Sequence, residues 1–128
     1  MVFHKPLNVE IKLETVDTPS SYLRTVPQGK KIGEKMQVWY VQKALTRTEG
    51  VVSRVIKPGD SDEAEAILLG FAPGKPYESV GIGRHGNFLQ WGYAAAPSQM
   101  TEAGRNLFVN CIYYIRQFDG KAPTKRNR

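Results

Sequence analysis

The sequence predicts an α/β fold: a mixed β-sheet with one C-terminal amphipathic helix packed on it. Three features carry this reading. Residues 8–17 alternate apolar and polar. Two β-rich runs flank a glycine-rich turn at Gly83–Asn87. A wide apolar stripe at helical spacing then runs from Ala103 to Phe118. An α+β arrangement with an antiparallel sheet is the alternative, because the early strands follow one another without intervening helices.

In the 8–17 run, Val9, Ile11 and Leu13 face one way and Glu10, Lys12 and Glu14 the other, as in a strand with one wet face. Thr18-Pro19-Ser20-Ser21 breaks it, and residues 22–35 read as a polar loop. Met36–Gln42 and Val51–Ile56 read as the second and third strands, with a turn at Thr46–Gly50 between them. Asp60 can cap a short helix through Leu69, closed by Gly70, and Pro73–Pro76 form a loop. Ser79–Ile82 and Phe88–Tyr93 are the arms of the hairpin, and Ala94–Gln99 is a loop. Thr101 caps the last helix and Asp119-Gly120 stops it.

A chain of 128 residues suits one domain, here 1–120, that needs neither disulfide nor metal to hold its core. No apolar run reaches the roughly 18 residues of a membrane span. The start, Met1-Val2-Phe3-His4-Lys5-Pro6, has no apolar segment of the secretory kind. A cytoplasmic home is the default, unless the chain is a segment of an exported protein. Lys121, Lys125, Arg126 and Arg128 place +4 of the net +6 in a basic, flexible tail, 121–128. That tail lacks the interleaved aromatics of a nucleic-acid contact, and reads as a solvated end.

Catalytic and cofactor patterns fail on context. Gly81-Ile82-Gly83-Arg84-His85-Gly86 matches G-x-G-x-x-G, but a strand follows it where a dinucleotide loop needs a helix. Asp60–Glu65 lacks the glycine and glutamate of a calcium loop. His4 and His85 are far apart and have no zinc spacing. Cys111, the single cysteine, lies on the apolar stripe and reads as core. No metal or cofactor is expected.

One constellation remains. Tyr77, Trp91 and Tyr93 flank the hairpin beside Arg84, His85, Asn87 and Gln90. Aromatic faces with amide and guanidinium neighbours suit a sugar or another planar polar ligand. Arg84, His85, Asn87, Trp91 and Tyr93 are therefore the candidate ligand-binding residues, although alternation turns half of such side chains toward the core. His85, beside Arg84 in the turn, is the candidate acid/base.

The run from Glu78 to Tyr93, with Met100-Thr101-Glu102 and Phe108–Ile115, resembles the closing segment of class I glutamine amidotransferase-like domains, in particular the trehalose-utilisation-like (ThuA-like) branch. Gly83-Arg84-His85-Gly86 and Asn110-Cys111-Ile112-Tyr113-Tyr114 stand where that segment carries its turn and helix motifs. The resemblance covers about residues 78–118. It implies the C-terminal portion of an α/β domain, a segment of a larger protein linked to carbohydrate. Cys111 is not in a Gly-x-Cys-x-Gly elbow and neither histidine has a glutamate two places on, so no catalytic residue carries over.

The expected function is a non-catalytic module that binds a small polar ligand or a protein partner. The alternatives are a small enzyme acting on a sugar or polar metabolite through His85, and a weak nucleic-acid binder acting through the tail.

Overall fold

The computed structural model describes residues 2–23, 31–43, 50, 52–54, 64–69, 75 and 79–122. Expectations for the turn at 46–49, the capped start at 60–63, Gly70, the 73–74 loop, Tyr77 and the tail beyond 122 lie outside the described residues, as do Val51, Val55 and Ile56.

Among the described residues the chain forms two antiparallel sheets and a C-terminal helix. Strand β1 (Glu14–Asp17) pairs with β2 (Lys35–Val38), from Glu14 opposite Val38 to Asp17 opposite Lys35. An Asp17–Lys35 ion pair closes the end of that ladder. A short helical turn, α1 (Ser20–Leu23), follows β1. In the second sheet β5 (Ser79–His85) is central, with β4 (Ala64–Leu69) along one side. Strands β3 (Ser53–Arg54) and β6 (Phe88–Trp91) pair with successive parts of its other side. Every named pairing is antiparallel, which is the α+β form of the expected sheet-and-helix architecture.

Three local expectations are corrected. The strand over 8–17 shrinks to Glu14–Asp17. Its partner β2 ends at Val38, and the next residues leave the ladder to meet the final helix: the Thr101 hydroxyl donates to Tyr40 O at 2.7 Å. Only Val9 of the predicted inner face is buried, while Ile11 and Leu13 are exposed. The helix expected through Leu69 is instead β4. Ala, Glu and Leu favour helix by local propensity, but pairing with β5 overrides it, with two register shifts between Ala66 and Leu69. The turn narrows from Gly83–Asn87 to Gly86–Asn87, because β5 continues to His85 opposite Phe88. Gly86 has φ 55° and Asn87 a negative φ, the pattern of a type II′ hairpin turn.

The last helix, α2 (Glu102–Ile115), starts as expected: the Thr101 side chain accepts from Gly104 N, and Glu102 occupies the first turn. A 3₁₀ turn over Arg116–Phe118 extends it. Leu107 and Cys111 pack against Ile82, Val2 and Val9 to form the core, flanked by Trp39, Leu89 and Trp91. The apolar stripe is only partly covered, for Ile112 is half exposed.

Two contacts fix the segments that run beside α2. Asn110 is fully buried within the apolar stripe. Its Nδ2 donates to Val2 O at 2.5 Å and Leu7 O at 2.6 Å, and its Oδ1 accepts from Leu7 N at 2.9 Å. Gly104 faces the backbone of Val41, where a Cβ would lie 2.0 Å from the carbonyl oxygen. Only glycine permits that approach. It brings Trp39–Val41 against the helix start.

Candidate functional site

The structure divides the five residues expected to share a site between the two faces of the hairpin, keeping Trp91 in contact with Tyr93. Cross-strand register places Arg84 and Trp91 on the face turned to α2, with Ile82 and Leu89, and His85 on the opposite face with Phe88. Arg84 is committed internally. Its Nε donates to Glu65 Oε1 at 2.7 Å and its Nη1 to Gly86 O at 2.8 Å, and its guanidinium lies 3.6 Å above the Phe118 ring. Burial lowers its pKa, but hydrogen bonding and charge from Glu65 outweigh this and hold it above the ordinary arginine value. Tyr114 also donates to Glu65 Oε1, at 2.5 Å. One carboxylate thus ties β4, the hairpin and the end of α2 together.

Trp91 packs edge-on against Tyr93 at 5.4 Å and Phe108 at 5.0 Å, and its Nε1 is buried without a hydrogen-bond partner. Tyr93 pairs with Gly50 through an isolated bridge, and burial pushes its hydroxyl pKa up. His85 lies 5.2 Å from Phe88, tilted by 32°. Asn87 is exposed at the turn. Asn87 and Trp91 do line one apolar cavity of about 380 Å³ between β6 and α2, with Phe108 and Ile112. A mainly apolar groove, to which Asn87 and Trp91 of the five expected residues contribute, thus lies beside the hairpin.

Polar and aromatic groups converge elsewhere, in a groove of about 300 Å³ at the start of α2. Three segments distant in sequence build it. The first contributes Asn8, Glu10, Lys12 and Glu14. These are the even-numbered side chains of the alternating run, so the period-2 pattern survives although a paired strand does not. Trp39 and Tyr40 come from the chain leaving β2, and Thr101, Glu102, Ala103 and Asn106 from the first turns of α2. The Asn106 side chain donates to Asn8 O at 3.1 Å, and Thr101 N donates to Val41 O at 3.0 Å, which hold both flanking segments on the helix. Trp39 is further braced by an edge-on contact with Phe3 at 6.2 Å. Tyr40 is 46% exposed.

Sequence reasoning treated Glu10, Lys12 and Glu14 only as a wet face. The alternation was a sound signal for which side chains share a side. Their meeting with Trp39 and Tyr40 depends on the close approach at Gly104, which no local pattern announces. Among the described residues no group of three or more His, Cys, Asp or Glu side chains could hold a metal ion, and no helix is long and apolar enough to cross a membrane.

Comparison with protein-family models, curated proteins and solved structures finds no match to this chain. The likeness of residues 78–118 to amidotransferase-like domains rests on its motifs alone.

Proposed function

We propose that this chain is a non-catalytic binding module that takes a small hydroxyl-rich ring ligand, of the saccharide class, in the groove at the start of α2. The observation that carries the reading is the convergence of Trp39 and Tyr40 with amides and carboxylates on one groove. A sugar ring has an apolar C–H face that packs on an aromatic ring, and a rim of hydroxyls that both donate and accept. Carboxylates accept from such a rim, lysine donates to it and amides do both. The volume sits at the small end of the roughly 300–1,000 Å³ typical of small-molecule sites.

One further point supports a binding module. The trehalose-utilisation-like resemblance of residues 78–118 favours a carbohydrate context, with the chain as a segment of a larger amidotransferase-like protein, and supplies no catalytic residue.

Isothermal titration of the protein with a panel of disaccharides tests the reading. Tyr40→Ala is the informative variant, because the residue is about half exposed and outside the core. It should retain the fold and bind about tenfold more weakly, a loss of about 1.4 kcal/mol. Asn87→Ala, in the hairpin turn, should bind normally. Equal affinity for Tyr40→Ala and the parent would refute the site, and turnover of a bound saccharide would replace the binding reading with an enzymatic one.

A further inference from the structure

We infer that the ligand of this groove carries a positive charge, so that within the saccharide class it is an amino sugar rather than a neutral or acidic one. This rests on the groove reading and adds the ligand's charge. Three carboxylates, Glu10, Glu14 and Glu102, line the cavity against one ammonium, Lys12. The start of α2 adds about half a positive charge. The groove therefore stays net negative in a chain whose net charge is +6.

The acids are also uncommitted. Among the described residues, Glu10, Glu14 and Glu102 make no ion pair and no side-chain hydrogen bond, whereas Asp17 and Glu65 are engaged by Lys35 and Arg84. They stand around Trp39 and Tyr40, whose ring faces attract cations through their quadrupoles. An ammonium on a sugar ring satisfies both elements at once. The ring packs on an aromatic face, and the ammonium donates to carboxylates that have no other partner among the described residues. An anionic sugar would meet like charge at the same rim.

The test compares two dimers of one sugar that differ in charge, the free glucosamine dimer and its neutral N-acetylated form, by isothermal titration with the full chain. Each exposed charge pair contributes about two- to fivefold in affinity. The cationic dimer should therefore bind on the order of tenfold more tightly. Added salt should shrink that preference. Glu10→Gln with Glu14→Gln should abolish most of it, lowering the cationic dimer's affinity far more than the neutral dimer's. Equal binding of the two dimers would overturn the charge inference and leave the groove reading standing. Binding of neither would overturn both. Binding of a simple alkyl diamine as tightly as the amino sugar would uphold the charge and overturn the saccharide class.

Discussion

Asn110 is a polar residue inside an apolar stripe, and its amide holds three backbone groups of residues 2–7. Removing it strands buried donors and acceptors. We expect Asn110→Ala to cost about 3 kcal/mol, read as a lowered urea midpoint with little change in slope; an unchanged midpoint would contradict the account. Arg84 is committed to the fold in the same way. Arg84→Met should lose about 2 kcal/mol, below the range for fully buried pairs because Glu65 is 36% exposed and partly screened. Saccharide titration of that variant should be normal. Cys111 adds a pH dependence. Burial pushes its thiol pKa up to about 12 from an ordinary 9.0. The folded protein keeps a proton that the unfolded chain releases, so this thiol's contribution to stability is constant below about pH 9 and is lost as pH rises toward 12. The fall amounts to at most about 4 kcal/mol. Tyr114, raised by burial and by Glu65 to about 12, adds to the loss above pH 10. Urea unfolding across this range should show a shallower alkaline decline in Cys111→Ala.

Among the elements, α2 depends on a contact that helix propensity would advise against. Alanine is the better helix former by about 1 kcal/mol, yet a Cβ at position 104 would collide with Val41 O. Gly104→Ala should therefore destabilise by about 2 kcal/mol or more and weaken groove binding as well, because Trp39–Val41 must move away from the helix. Thermal unfolding and titration of one variant check both; a stabilised variant would refute the packing. The legible and illegible parts of the fold divide along the same line. The cap at Thr101, the stripe through Leu107 and Cys111 and the hairpin of β5 and β6 were readable because they are set by local spacing. β4 was not, since Ala64–Leu69 has helical composition and only its pairing with β5 makes it a strand. Residues 8–13 carry a strand pattern, but β2 ends before it can pair with them.

Over the whole molecule, the groove proposed as the binding site is assembled from segments distant in sequence. The hairpin holds the conspicuous residues, but cross-strand alternation sends Arg84 and Trp91 inward and His85 to the far face. Long-range contacts at Gly104, Asn106 and Asn110 instead draw residues 8–14 and 39–40 onto α2 and create a groove that no single segment contains. The central claim is that this groove, and not the hairpin, is the binding surface. Amide chemical-shift mapping during titration with the glucosamine dimer tests it most directly. The account predicts perturbations concentrated at residues 8–14, 39–41 and 101–106, with the signals of His85–Trp91 unmoved. Shifts centred on His85–Trp91, or no shifts at saturating ligand, would contradict it.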